Sequence, residues 1–244
     1  MAVFYFEMIY IFGMKNRYMK KFALIVAGGM GSRMENPIPK QFIDLLGNPI
    51  LMHTIRVFYH FDKEMEIIVV LPKDQQSLWQ ELCAQHRFPI KHRIVAGGEN
   101  RFTSVKNGLE TITEEGIVFI HDGVRPLVSM ATLDRCLSCT EENSNAIPVM
   151  QVTESLRKVT RKKSKAVNRS KYFNVQTPQT FIVSAIKNAY RQNYNEEFTD
   201  DASVLEKAGQ HIFTVEGNHE NIKITRPLDL SIAEALIRHA AMEI

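Results

Sequence analysis

The stretch ALIVAGGMGSRM (23–34) is where the sequence most plainly offers chemistry: an apolar run passes straight into Gly28, Gly29 and Gly31, and Arg33 follows. Glycines at the carboxyl end of a buried strand let backbone N–H groups approach an anion closely, and open α/β sheets bind ligands at that edge. The turn is therefore expected to cradle phosphate. No Gly-Lys-Ser/Thr follows at Walker spacing, and the third glycine of G-x-G-x-x-G is missing, which counts against ATPase and dehydrogenase readings. PIPKQFIDLLGNPIL (37–51) adds Lys40, which Pro37 and Pro39 hold on an extended loop at a set distance from the turn. Arg33 and Lys40 can then converge on a polyphosphate. In phosphoryl or nucleotidyl transfer, most of the catalytic work is placing such positive charge against developing negative charge.

The elements that must position these residues follow from periodicity. FALIVA (22–27), EIIVVLP (66–72) and IVFIHD (117–122) are short, β-branched and apolar on both faces, as central parallel strands are; HRIVAGG and NAIPVM are weaker strand candidates. Between and after them, PILMHTIRVFYHF, DQQSLWQELCAQH, RFTSVKNGLETI and MATLDRCLSCTEE carry apolar residues at helical spacing. The alternation predicts a doubly wound, mostly parallel, Rossmann-like α/β sheet. It breaks at about 151–171, where VTESLRKVTRKKSKAVNRS is basic and alternates Val with polar residues; this reads as a protruding β-arm, with RKKSK its solvated turn. An isolated hairpin is marginal in water, so the arm is expected to pair two subunits. Beyond it, FIVSAIKNAYRQ reads as helix, TDDASVLEKAG as a helix with Thr199 as N-cap and Gly209 at its stop, HIFTVEG as strand, and a last helix starts near Pro227.

Composition bounds the rest. In 244 residues, 30 Lys and Arg against 27 acidic residues give a formal net charge of +3, too weak for nucleic-acid or membrane binding by bulk electrostatics. Three cysteines form no disulfide framework and point to the cytoplasm; Cys136 and Cys139 fall one turn apart on a predicted helix, without a second pair to complete a zinc site. No G-x-S-x-G elbow or H-E-x-x-H spacing suggests a hydrolase or metalloenzyme. The apolar run MAVFYFEMIYIFG carries Glu7 and is shorter than the about 20 residues a spanning helix needs. Residues 1–18 read as an extension, disordered or from a misassigned start, with Met14 or Met19 opening the domain of 19–244; a membrane-surface anchor is the minor alternative.

AGGMGSRM followed by PKQF resembles the signature of the cytidylyltransferases that act on polyol phosphates. The likeness continues through GGENRFTSVKNGL (97–109), HDGVRP (121–126), VTESLRKV (152–159), VNRSKYFNVQTPQTF (167–181), TDDASVLEKAG (199–209) and NIKITRPLDL (221–230), from about Lys20 to the C-terminus. The resemblance implies transfer of CMP from CTP to 2-C-methyl-D-erythritol 4-phosphate, on the way to isoprenoid precursors, by a cytoplasmic homodimer using Mg²⁺. It implies catalytic roles for Arg33, Lys40, Arg169 and Lys223. It places CTP against Ala27, Gly28, Gly29, Gly31, Gly98, Glu99 and Ser104, and the acceptor against Asp122, Arg125, Ser155, Thr177 and Thr199. Asp122 is its one candidate metal ligand, Mg²⁺ otherwise resting on the CTP phosphates, and Arg169 and Ser155 are implied to reach the site from a partner's arm.

Two departures qualify the likeness. Glu154, Ser155, Leu156 and Arg157 stand where the family usually has Asp-Thr, an apolar residue and Lys; Ser155 keeps the hydroxyl. HDGVRP and the GSRM loop lean towards the related ribitol 5-phosphate enzymes, whereas Arg226 of KITRP and the VNRS arrangement lean away from them, which ranks ribitol phosphate second. A catalytically inactive nucleotide-binding regulator is the alternative from another class, and the retention of Arg33, Lys40, Arg169 and Lys223 together argues against it.

Overall fold

The computed structural model describes residues 19–29, 34 and 38–242. The expectations for residues 1–18, and for Gly31 and Arg33, lie outside those residues. The chain lays down strands β1 (Lys20–Val26), β2 (Asp44–Leu45) and β3 (Asn48–Pro49), then helix α1 (Ile50–Phe61). Strand β4 (Glu66–Leu71), helix α2 (Gln76–Gln85), β5 (Arg93–Ala96), α3 (Arg101–Glu110), β6 (Gly116–Asp122), α4 (Met130–Asn143) and β7 (Asn145–Gln151) follow. Next come β8 (Arg157–Thr160), β9 (Lys163–Ala166), β10 (Phe173–Val175), β11 (Gln179–Ile182), α5 (Val183–Ala189), α6 (Asp201–Lys207), β12 (Thr214–Glu216) and α7 (Pro227–Met242).

The main sheet runs β10-β7-β11-β6-β1-β4-β5, with β12 added beside β7. Strands β6, β1, β4 and β5 are parallel, whereas β11 is antiparallel to both β6 and β7. The largely parallel α/β sheet is thus as expected, with one correction: Phe181 and Ile182, read as the start of a helix, belong to β11. Local periodicity cannot separate the apolar end of a short strand from the first turn of the helix that follows it, and pairing with β6 decides. The chain winds from β1 outward through β4 to β5, then returns to place β6 on β1's other side. That reversal is a topological switch point, where the carboxyl ends of two strands diverge and leave a crevice.

Strand β1 feeds both layers through its alternation. Ala23 and Ile25 pack with Leu51, Ile55 and Phe58 of α1 and Leu133 and Cys136 of α4, whereas Phe22 and Leu24 pack with Val105 and Leu109 of α3 and Ile186 of α5. Both sides of the strand are dry, hence its unbroken apolar run. Cys136 and Cys139 do lie one turn apart on α4, and burial pushes the Cys136 thiol up to about 12, as suits a packed rather than a reactive sulfur. Residues 157–166 form a two-stranded antiparallel hairpin whose eight strand residues are all exposed. Among the described residues, no helix is long and apolar enough to cross a membrane.

One glycine is fixed by this packing. A Cβ on Gly116 would lie 2.1 Å from the Lys20 carbonyl oxygen, a backbone atom of the neighbouring strand that has no flexible end to give way. Gly116→Ala is therefore expected to lower stability by about 2 kcal/mol through displaced pairing of β1 and β6. Thermal unfolding should show a midpoint lower by about 4–8 °C for a chain this size; an unchanged midpoint would mean the strands separate freely there.

Candidate active site

Register puts the key residues side by side. Val26 at the end of β1 is paired with Asp122 at the end of β6, so the glycine turn that begins after Val26 emerges beside the Asp122 side chain. The Ala27 amide still donates to the Val70 carbonyl (3.0 Å), after which Gly28 and Gly29 leave the sheet. A Cβ on Gly29 would come within 3.2 Å of Lys40 Nζ, so the ammonium lies against the turn itself. Lys40 is held there by its neighbours: extended Pro39 leads into a single 3₁₀ turn over Lys40–Phe42, in which Gln41 is buried and Phe42 stacks on Trp79 with ring centroids 5.7 Å apart. Pro39 thus leads Lys40 to the glycine turn, while Pro37 lies outside the described residues.

The GGEN segment closes the opposite wall. A Cβ on Gly98 would sit 2.3 Å from Thr103 Oγ1, so the backbone can reach this position only as glycine. Asn100 caps α3 through a reciprocal capping box with Thr103. Ser104 accepts the Gly98 amide proton (3.0 Å) and donates to the Asn100 carbonyl (2.8 Å), so its hydroxyl is largely spent on shaping the loop. Ala27, Gly28, Gly29, Gly98, Glu99 and Ser104, expected against the nucleotide, line one cavity together with Lys40, Asp122 and Lys223.

A second cavity is lined by Arg125, Thr177, Thr199 and Asp200, and Arg101, Asp122 and Lys223 form the wall common to both. The strap after β12 supplies Lys223. Ile224 is buried and its amide donates to the Val124 carbonyl (2.9 Å), while Arg125 Nη1 donates to the Asn221 carbonyl (2.7 Å). Pinned on either side, Lys223 reaches Asp122 Oδ2 at 3.0 Å. Arg125 Nε lies 3.2 Å from the same oxygen, and Arg101 Nε 3.9 Å from Oδ1. Burial pushes the Asp122 carboxyl up, but Lys223, Arg101 and Arg125 outweigh it and hold the group well below the usual carboxylate range. Asp122 therefore stays ionised as the counter-charge of a cationic wall.

That arrangement decides the fit of a metal. Both Asp122 oxygens face cations, which is the opposite of what a divalent ion needs from a ligand, so Asp122 does not suit the metal role the sequence offered for it. Among the described residues, no group of three His, Cys, Asp or Glu side chains could hold a metal ion.

Arg101 escaped the sequence reading. Its guanidinium grips the buried Asp201 carboxylate with two bonds, 2.9 Å to Oδ1 and 2.6 Å to Oδ2, and Tyr190 adds a third at 2.6 Å. The bidentate pair ties the first residue of α3 to the first residue of α6, and with them the two cavities. A signal was present: a cation in the first turn of a helix opposes the macrodipole and calls for a partner, and TDD supplies a carboxylate to spare. A related correction concerns Thr199. Asp200, not Thr199, is the N-cap, because its carboxylate accepts the Ser203 amide proton (2.9 Å) in a capping box, which leaves Thr199 to face the second cavity. Ser155 and Arg169 line neither cavity within one chain; both are exposed, and Arg169 donates to the Thr153 carbonyl.

Two spaces that share one cationic wall, at the switch point of such a sheet, are suited to bringing two phosphorylated ligands together, and the class so defined is the α/β nucleotidyltransferases. A profile of the 2-C-methyl-D-erythritol 4-phosphate cytidylyltransferases matches residues 22–239, so the chain belongs to that family. It is 51% identical over 215 residues to the 2-C-methyl-D-erythritol 4-phosphate cytidylyltransferase of Bacteroides fragilis, covering 88% of this chain and 98% of the relative. The Porphyromonas gingivalis relative of the same name is 50% identical over 220 residues, covering 89% and 98%. Among solved structures, 4-diphosphocytidyl-2C-methyl-D-erythritol synthase from Anaerococcus prevotii is similar with a TM-score of 0.77 at 25% identity, covering 90% of this chain and 96% of that one. The Francisella tularensis cytidylyltransferase is similar at 0.72 and 30% identity, covering 88% and 99%.

Two outcomes are expected. Arg101→Met strands the buried Asp201 charge and should cost about 3–5 kcal/mol in urea unfolding, with Arg101→Lys between it and wild type; a loss under about 0.5 kcal/mol would show the pair is not structural. Second, burial holds the His121 imidazole down at about 4, against 6.5 for an ordinary histidine. Between those values the unfolded chain takes up a proton that the folded chain refuses, so stability rises with pH across the window and is lost as pH falls through it. Urea midpoints should therefore decline from about pH 7 to about pH 4.5, and His121→Phe should flatten that slope.

Proposed function

We propose that the protein transfers CMP from CTP to 2-C-methyl-D-erythritol 4-phosphate, giving the CDP-linked polyol and pyrophosphate. The observation that carries this is the wall shared by the two cavities. Arg101, Asp122 and Lys223 stand between the cavity of the glycine turn, which this reading gives to CTP, and the pocket of Arg125, Thr177 and Thr199, which it gives to the polyol phosphate. A phosphate oxygen of the acceptor attacks the α-phosphorus of CTP in line, the bond to the bridging oxygen breaks, and pyrophosphate leaves with its electron pair. The acceptor phosphate is already ionised near neutral pH, so no general base is needed.

In this reading Lys40, with Arg33, stabilises charge building on the α-phosphate, and Lys223 receives the acceptor phosphate while Asp122 keeps it oriented beforehand. The backbone of Gly28, Gly29, Gly98 and Glu99 takes the nucleotide. With Asp122 committed to cations, the triphosphate oxygens rather than a side chain would hold Mg²⁺, which when bound neutralises charge on the leaving pyrophosphate. Ser155 and Arg169 reach the acceptor from a second subunit. The fully exposed hairpin strands, and the exposed Tyr172, Phe173 and Val175 at the sheet edge, support a homodimer built through this region. The unpaired cysteines, Cys83, Cys136 and Cys139, suit a cytoplasmic enzyme.

Ribitol 5-phosphate is the competing acceptor, and the names of relatives near half identity favour the methylerythritol compound. Pyrophosphate release with CTP and Mg²⁺ is expected with methylerythritol 4-phosphate and not with ribitol 5-phosphate or without acceptor. Release with ribitol phosphate alone would overturn the acceptor, and CTP binding without release under any condition would favour a regulator. Lys40→Ala should lower kcat by about 10²-fold or more with little change in CTP affinity, because its charge matters most in the transition state; a loss confined to KM would remove it from the catalytic set.

A further inference from the structure

The acceptor cavity is backed by a chain of hydrogen bonds in which every proton can be assigned. His121, at the penultimate position of β6, is fully buried, with its ring edge-on to Phe58 at 5.0 Å between centroids. Its Nε2 lies 2.9 Å from the Arg125 carbonyl oxygen and its Nδ1 3.1 Å from Thr177 Oγ1. Thr177 Oγ1 in turn lies 3.1 Å from the Asp122 amide nitrogen. A carbonyl can only accept, so Nε2 carries the ring hydrogen, and in a neutral imidazole Nδ1 is then a bare acceptor. The Asp122 amide donates to Thr177, so the hydrogen shared with Nδ1 is the one on the Thr177 hydroxyl.

We propose that His121 is a positioning residue for the acceptor: it fastens the QTP segment to the HDGVRP turn and fixes the Thr177 hydroxyl with its hydrogen turned inward. Two walls of the acceptor cavity, Thr177 from the segment before β11 and Arg125 from the turn after β6, are thereby set relative to one another. The Thr177 oxygen has one lone pair left to present to a ligand. It can receive a hydroxyl proton from a polyol but offers none to a phosphate oxygen, which is left to Lys223 and its neighbours. This role rests on the acceptor reading above; a merely space-filling His121, packed on Phe58, would fix neither direction nor register.

The conservative variants separate the two bonds. His121→Asn places an acceptor near the Nδ1 position and gives up the Arg125 carbonyl, whereas His121→Phe keeps a ring against Phe58 and gives up both. With methylerythritol 4-phosphate as acceptor, His121→Phe is expected to raise the acceptor KM about tenfold, the size of one lost hydrogen bond, with the CTP KM unchanged. His121→Asn should recover most of that loss, and adding Thr177→Val to His121→Phe should cost no more than Thr177→Val alone. Equal acceptor KM values for the Asn and Phe variants, or a parallel rise in the CTP KM, would overturn the proposal. Nitrogen-15 NMR of the imidazoles gives a readout that needs no turnover and no folded Phe variant. The resonances lost in His121→Asn should show an unprotonated Nδ1 and a protonated Nε2, with Nδ1 moving in Thr177→Val. The reverse tautomer, or no movement, would overturn the proposal even if wild-type turnover with methylerythritol phosphate failed and the functional reading fell with it.

Discussion

One buried carboxylate organises the site. Asp122 sits at the end of a strand that is dry on both faces, where an ionised group is costly unless it is paired, and its pairing draws Lys223, Arg125 and Arg101 inward from separate segments of the chain. Without that anion, Lys223 and Arg125 would lose their counter-charge at the crevice, whereas Arg101 would stay on Asp201. With it, they stand in place before any phosphate arrives, so that little reorganisation is left to the reaction. The wall carries more positive than negative charge, and an incoming phosphate meets the surplus.

The sheet makes this placement affordable in geometric terms. Val26 and Asp122 end adjacent parallel strands in register, and the chain reverses its winding between them, so the glycine turn and the acidic residue open onto the same crevice. The remaining contributors arrive by long loops anchored with backbone hydrogen bonds. Ile224 is clipped to Val124, and Gln179 accepts the Ala202 amide proton (2.8 Å) while donating to Asp200 (2.7 Å). Rigid strands hold the charges, and side-chain bonds fasten the loops to them. Substrate-facing groups are thereby tied at both ends, the kind of support that close positioning requires.

The linkage of the two cavities is a matter of buried ion pairs rather than area. Arg101 and Asp201 fasten the helix that follows the nucleotide loop to the helix that follows the acceptor loop, and Tyr190, stacked on Phe102 at 4.6 Å between centroids, supports both. A bidentate guanidinium pair is directional as well as strong, which suits a joint that must hold two pockets at a fixed separation. Aromatic packing of Phe102 against Phe198 extends the same joint towards the residues that precede Thr199. The hairpin of residues 157–166 stands outside this network.

The sequence by itself determined what depends on near neighbours: the two-sided strands β1, β4 and β6, the helices of apolar period, Gly28 and Gly29 at the end of β1, and Lys40 behind Pro39. Motif order further led to the expectation that Asp122, Thr177 and Lys223 share one site, and all three line the second cavity. Other features were settled only in three dimensions. Phe181 and Ile182 joined strand β11 rather than the helix after it because they pair with β6 and β7. Asp200 displaced Thr199 as cap because its carboxylate met Ser203, and Arg101 found Asp201 a hundred residues away. The tautomer of His121 likewise depends on a carbonyl four residues on and a hydroxyl 56 residues on. Periodicity and turn chemistry are properties of a local stretch of chain and can be read there, whereas hydrogen-bond polarity and charge pairing between distant segments exist only once packing has brought the partners together.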